Sequence, residues 1–322
     1  MSFEEFTQAV LEELRARDTG MEFMISEYTK RNNVTIKALA MSREGDSVSV
    51  RIYMKAFEEI YRRMCSDEKR PPEQYIKEMA DIILEIDQEN EKDRDEIRKI
   101  DMFSFDQMRS GIYLMLINYE MNREQLEQQP HRKFLDLAII YVVQLKNDKE
   151  GIMTYQINNE HMELWGCDEE ELFRLAYHNT PLLLPPMVFG IDEIVYKVLL
   201  EDDRIPSEYK ESFNEMFMSD FKEHGLSEMV CIGCESQHHG AGVMLYTDVL
   251  DRAADKLNED EIVILPSSVH EVLAVRKESG SDFSEYMKGI VREVNHTELT
   301  QEDVLSESIY IYNRLDKRLV MV

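Results

Sequence analysis

The sequence predicts an α+β protein with antiparallel sheets and inserted helices, preceded by an N-terminal region of helices and one β-hairpin. Three observations lead there. Apolar side chains recur at helical spacing through much of the first hundred residues. Beyond them, short apolar runs with strand-like composition come in pairs joined by turn residues. Helical segments fall between those pairs without the regular βαβα alternation of a parallel sheet.

Taken in order, Phe3, Phe6, Val10, Leu11 and Leu14, then Phe23, Met24 and Tyr28, place residues 3–28 at helical spacing. Residues 33–41 and 47–54 alternate or run apolar around Arg43-Glu44-Gly45-Asp46, where Gly-Asp marks a hairpin turn. Residues 55–65 and 73–99 read as amphipathic helices. Pro71-Pro72 separates them, since neither proline continues the first and Pro72 suits the start of the second. The stretch 85–99 is almost wholly charged. Strands follow at 112–118, 135–145 and 152–157, with a short helix at 120–128 and a turn at Pro130-His131. A helix over 168–178 opens on Asp168-Glu169-Glu170-Glu171, acids that the helix dipole favours there. Pro181, Pro185, Pro186 and Gly190 make 179–190 a linker, and two acidic helical segments, 191–201 and 207–223, come after it. The last stretch reads as strands 229–234 and 241–246, helix 248–257, strands 261–265 and 269–276, helix 282–294 and a hairpin 308–321 turning at Asp316-Lys317. The resulting division is 1–100, 101–180, an acidic 181–225, and 226–322.

The chain has 322 residues, 43% of them hydrophobic, and a formal net charge of -28. That composition can bury a globular core. It carries no basic stripe able to neutralise a phosphate backbone, so neither nucleic acid nor an anionic membrane is an expected partner. The first residues, Met-Ser-Phe-Glu-Glu, lack the basic and apolar regions of a secretory leader, and the apolar runs are too short to cross a bilayer. With four cysteines, Cys65, Cys167, Cys231 and Cys234, the expectation is a cytoplasmic protein with reduced thiols.

Cys231-Ile-Gly-Cys234 with His238-His239 offers ligand types suited to zinc or to a redox pair. A second ligand pair is missing, however, and a redox CxxC opens a helix, whereas this one lies in a strand-like run. No metal and no cofactor are expected. Ser267-Ser268-Val269-His270-Glu271 invites nucleophilic catalysis by Ser268 with His270 and either Asp136 or Glu271. Neighbouring strand side chains project side by side, though, which favours a structural, ligand-facing corner with His270 hydrogen-bonded to Asp136, Asn118 or Glu271. Asn118, Asn122, His131 and Asp136 form a second polar group in an apolar region, where a His131–Asp136 contact could face a ligand. The acidic clusters 168–171, 201–203 and 259–261 suit solvated faces and, as an alternative, a DNA mimic. Twenty methionines could fill an irregular core or line an adaptable surface.

Leu116-Ile117-Asn118-Tyr119-Glu120-Met121-Asn122, Pro130-His131 and Phe134-Leu135-Asp136-Leu137-Ala138, then Trp165-Gly166, Glu171-Leu172, Ala176 and Asn179-Thr180, resemble an uncharacterised bacterial family of unknown function from anaerobic gut-type Firmicutes. So do Gly240-Ala241-Gly242 running into Leu245-Tyr246, and Ile264-Leu265-Pro266-Ser267-Ser268-Val269-His270-Glu271. The resemblance covers nearly the whole chain. It implies a cytosolic accessory protein, sometimes found near mobile genetic elements, and no particular reaction. The family usually carries other residues at the CxxC position, which weakens the metal reading further. The leading expectation is a non-enzymatic binding or accessory protein for a protein or small ligand. Candidate binding residues are Asn118, Asn122, His131, Asp136, Ser267, Ser268 and His270. A hydrolase and an acidic DNA-mimic inhibitor are the alternatives.

Overall fold

Ser2 starts the first helix through its side chain. Its hydroxyl accepts from the Glu5 amide while the Glu5 carboxylate accepts from the Ser2 amide, a reciprocal cap on α1 (Phe3–Ala16). The computed structural model describes the 322-residue chain except residues 18, 45–48, 68, 149–150, 192, 194–205, 207–208, 211–226 and 281. It divides into two units, Met1–Met102 and Phe103–Val322. Residues 101–102 aside, the segments read as separate modules over 101–180 and 226–322 fall inside the second unit. The predicted acidic helices and the 201–203 cluster lie largely outside the described residues.

In the first unit, α1 ends before Gly20, whose φ of +67° breaks the helical path. The chain then runs as β1 (Met21–Thr29), β2 (Thr35–Arg43) and β3 (Val50–Tyr53), an antiparallel meander. Phe23, Met24 and Tyr28 are therefore strand residues, not a continuation of the helix. Register decides this: Phe23 sits opposite Met41 and Ile25 opposite Leu39, so alternate residues reach the core while Met24 is exposed. The β2–β3 pairing places the predicted hairpin, whose turn at 45–48 lies outside the described residues. Helices α2 (Met54–Ser66), α3 (Pro72–Glu89) and α4 (Glu91–Arg98) follow, with Pro72 in the first turn of α3. Phe6, Val10, Leu14, Phe57, Met79 and Ile83 pack with Leu39 and Met41 into one core.

Among its described residues the second unit holds two antiparallel sheets. The first is built on β6 (Leu137–Asp148). Strand β4 (Ile112–Asn118) pairs along one edge, while β5 (His131–Phe134) and β7 (Gly151–Gln156) share the other. The second sheet runs β13 (Arg318–Met321), β12 (Tyr310–Asn313), β10 (Glu261–Leu265), β11 (Val272–Arg276), β9 (Met229–Cys234) and β8 (Pro186–Gly190). Helices α5 (Phe105–Met108), α6 (Arg123–Leu126), α7 (Asn159–Trp165), α8 (Glu169–Leu183), α9 (Thr247–Leu257) and α10 (Phe283–Thr297) are inserted between strands. The protein is thus α+β with antiparallel sheets.

Helix α8 corrects the predicted linker. It continues through Pro181 to Leu183, and Pro186–Gly190 is a strand paired with β9. A proline inside a helix leaves the carbonyl four residues earlier without its amide donor. Here that carbonyl is Tyr177, and the Tyr246 hydroxyl donates to it at 2.7 Å. The next residues back, Asn179 and Thr180, face the open edge of β4. Asn179 Nδ2 donates to the carbonyls of Arg109 (2.8 Å) and Ile112 (3.0 Å), and Thr180 Oγ1 accepts from the Leu114 amide at 3.0 Å. A strand edge that would otherwise leave buried polar groups unpaired is closed by side chains.

The predicted strand 241–246 is instead a 3-10 segment, Gly240–Leu245. Its backbone is pressed too closely against its neighbours to enter a ladder. A Cβ on Gly240 would lie 2.5 Å from the His270 carbonyl oxygen and 2.7 Å from the Cys234 nitrogen, and one on Gly242 would lie 3.1 Å from Leu114 Cδ1. This glycine-bearing turn touches β4 of the first sheet and the 268–271 turn beside the second.

Candidate polar site at the junction of two sheets

The segment 266–271 is a turn, not the start of a strand. The Ser268 amide donates to the Glu271 carbonyl at 3.0 Å, and β11 begins only at Val272. The hydroxyls of Ser267 and Ser268 both donate to Glu271 Oε1, at 3.0 and 2.9 Å. Ser268 Oγ also accepts from the His270 amide at 3.0 Å. These bonds fold the turn on itself, as serine hydroxyls beside a proline do. They also turn both hydroxyls toward a carboxylate rather than an imidazole.

The His270 ring faces elsewhere. Its Nδ1 accepts from the His239 amide at 3.3 Å, and its Nε2 lies 3.3 Å from Asp303 Oδ1. The partners expected from sequence, Asp136, Asn118 and Glu271, are replaced by His239 and Asp303. The His239 ring lies parallel to His270, within 9° at 6.0 Å between centroids, and its Nδ1 is 2.9 Å from the buried Tyr113 hydroxyl. His238 meets His270 edge-on at 5.7 Å and is exposed. His239 holds a φ of +59°, a left-handed conformation that costs a bulky residue energy and persists only where the surroundings impose it. Tyr113, His238, His239, His270 and Asp303 thus form a half-buried polar shelf drawn from β4, the turn after β9, the turn before β11 and the segment before β12.

Asn118, Asn122, His131 and Asp136 occupy the far end of the same sheet junction. Asn118 Oδ1 accepts from the Met121 amide, and Asn122 Nδ2 donates to the Asn118 carbonyl at 2.7 Å, so this pair closes the turn after β4. His131 does not meet Asp136: its Nδ1 is 3.0 Å from the Gln129 carbonyl, and its ring lies against Tyr119. Asp136 stands at the tip of the tight β5–β6 turn, where Leu135 takes a φ of +57°. Its carboxylate accepts from Ser306 Oγ at 2.5 Å and from the Tyr310 hydroxyl at 2.8 Å. Burial, with the Asp136 charge second, pushes the Tyr310 phenol well above its ordinary range, so it stays a donor.

The two polar groups identified from sequence do not touch each other through the bonds above. They are joined by a third segment. Along residues 303–306, Asp303 binds His270 and its carbonyl accepts from the Val269 amide at 3.0 Å. The Leu305 carbonyl accepts from Asn118 Nδ2 at 3.1 Å, and Ser306 binds Asp136. This strap, pinned from α10 by Asn295 Nδ2 on the Ser306 carbonyl, ties both sheets together. Asp303, Ser306, Tyr310 and Tyr113 carry no sequence signal of their own. Only their convergence marks them.

Cys231 and Cys234 sit on β9. Burial, with Glu271 second, pushes the Cys231 thiol up to about 11, and Cys234 Sγ lies 3.3 Å from the His238 carbonyl. All four cysteines are free thiols, and no cluster of three metal-ligating side chains occurs among the described residues. No described helix is long and apolar enough to cross a membrane.

Fold and site together define an antiparallel α+β protein whose polar residues converge on one strap between two sheets. No curated protein and no solved structure matches the chain. A family model does, over residues 3–314, and the chain belongs to that family, the Family of unknown function (DUF5688).

Proposed function

We propose that the protein is a bacterial, cytoplasmic accessory protein that binds a protein or small ligand without transforming it, and that the shelf of Tyr113, His238, His239, His270 and Asp303 is where the ligand seats. One observation carries this reading: the side chains that sequence nominates for catalysis are engaged with one another as structure. Ser267 and Ser268 donate to Glu271, and both nitrogens of His270 face other partners. A general base needs an open lone pair within hydrogen-bond reach of the nucleophile it serves. The exposed His238 presents its imidazole at the surface of the shelf instead. The free thiols support a reducing compartment.

A fluorophosphonate probe followed by intact-mass and peptide mapping tests the reading. No adduct is expected on Ser267 or Ser268. Labelling of either, abolished by His270→Ala, would overturn it in favour of a hydrolase. A thermal-shift screen of metabolites supplies the positive arm. A true ligand raises Tm, and that shift is lost in His238→Ala, which removes an exposed side chain.

A further inference from the structure

His270 stands between two segments and is bonded differently to each. Toward the turn after β9 it offers a bare nitrogen: Nδ1 accepts the His239 N–H at 3.3 Å. An imidazole nitrogen that accepts carries no proton, so in the neutral ring the proton is on Nε2, facing Asp303 Oδ1 at 3.3 Å. The donor in the first bond belongs to a residue held in a left-handed conformation. The same turn is docked by the Ala241 amide on the Val269 carbonyl at 3.3 Å and by the close approach of Gly240 to the His270 carbonyl. Asp303 is independently fixed, with Thr300 Oγ1 on its Oδ2 at 2.7 Å.

Adding a proton to His270 puts an N–H on Nδ1, opposite the N–H of His239. Two donors then face each other and that bond is lost, while Nε2–H to Asp303 becomes a charge-assisted pair. We propose that His270 is a pH-sensitive latch: neutral, it accepts the His239 amide of the His238–His239 turn, and protonated, it gives up that bond while gripping the strap through Asp303. The groups facing it are His238 and His239 from the turn, Asp303 from the strap, and Glu271 from its own segment, the last engaged by Ser267 and Ser268. Tyr113 enters through His239. The latch stands on this geometry alone and does not depend on what the shelf binds.

Amide hydrogen exchange of the full-length protein between pH 8 and pH 5.5, corrected for intrinsic rates, reads the latch directly. Histidine is the side chain that changes charge across this window. The His239 amide is expected to lose protection by about tenfold or more as pH falls, the scale of one lost hydrogen bond and its neighbours. His270→Asn places an amide oxygen near the position of Nδ1 but cannot titrate there. Its His239 amide is expected to stay protected and flat with pH. Side-chain nitrogen NMR of wild type supplies a measurement that needs no variant: Nδ1 must be unprotonated at pH 8. Protection of His239 that does not change with pH, an equal change in His270→Asn, or a protonated Nδ1 at pH 8 would each overturn the latch.

Discussion

Replacing Asp136 with alanine removes the acceptor that two buried hydroxyls share. Ser306 and Tyr310 are both fully buried, and their bonds to Asp136 measure 2.5 and 2.8 Å. A buried donor left unpaired costs about 1–3 kcal/mol. Ser306 keeps one bond as acceptor from the Ser308 amide at 2.8 Å, and Asp136 is only half-buried, so water can reach part of the gap. The expected loss for Asp136→Ala is therefore about 2–4 kcal/mol rather than the full sum of two stranded donors. Tyr310→Phe removes one donor and leaves a carboxylate oxygen facing a ring, at about 1–2 kcal/mol. Combining the two should cost less than the sum of the singles by about 1 kcal/mol, because in the alanine background the phenylalanine removes a stranded donor. The chain has one tryptophan, Trp165, and it lies in the second unit. Urea unfolding followed by its fluorescence thus reports the unit that contains the site. A loss below about 1 kcal/mol for Asp136→Ala, or strict additivity in the double variant, would refute the reasoning.

Further outcomes follow from single contacts. Tyr246→Phe leaves the Tyr177 carbonyl without its donor and should cost about 1–2 kcal/mol in urea unfolding; in a Pro181→Ala background, where the helix regains its own amide donor, the same change should cost less. Thr180→Val strips the Leu114 amide of its acceptor at the edge of β4 and should cost about 1–3 kcal/mol by the same assay. Gly240→Ala drives a Cβ into backbone and should lower stability by about 1–3 kcal/mol, while Gly280→Ala, with open space around it, should change Tm little. A thiol with a raised pKa holds less thiolate at a given pH, so iodoacetamide at pH 8 should alkylate the exposed Cys65 well before Cys231, with Cys231 catching up only as pH approaches about 11; equal rates at pH 8 would contradict its burial.

Most of the local structure was legible in the sequence. The strands at Ile112–Asn118 and Glu261–Leu265 and the helix at Thr247–Leu257 match their apolar patterns because such elements bury one face or both, and burial writes a period. Where reading failed, a distant partner had overridden a local signal. Phe23, Met24 and Tyr28 fit a helical spacing, but pairing of β1 with β2 set their period to two. Pro181 reads as a breaker, yet α8 runs through it because Tyr246, far along the chain, satisfies the orphan carbonyl. Gly240-Ala241-Gly242 looked like the start of a strand, but its glycines exist for close approach to His270 and Leu114.

The site divides along the same line. Ser267, Ser268, His270, Asn118, Asn122 and Asp136 could be picked out because polar side chains stood amid apolar runs, and the turn-closing bonds of the serines and asparagines are local enough to follow from sequence. By itself, then, the sequence determined the α+β class, the antiparallel pairings of near neighbours and the acidic, thiol-bearing composition. Only the tertiary structure decided what those polar groups touch. The Tyr113–His239 contact spans 126 residues and the Tyr310–Asp136 bond 174, and Asp303 reaches His270 from a segment with no pattern of its own. A hydrogen bond is directional and short, so it is defined by the meeting of two atoms in space. Hydrophobic burial depends on area and leaves a periodic trace along the chain, whereas a single donor–acceptor pair between distant segments leaves none.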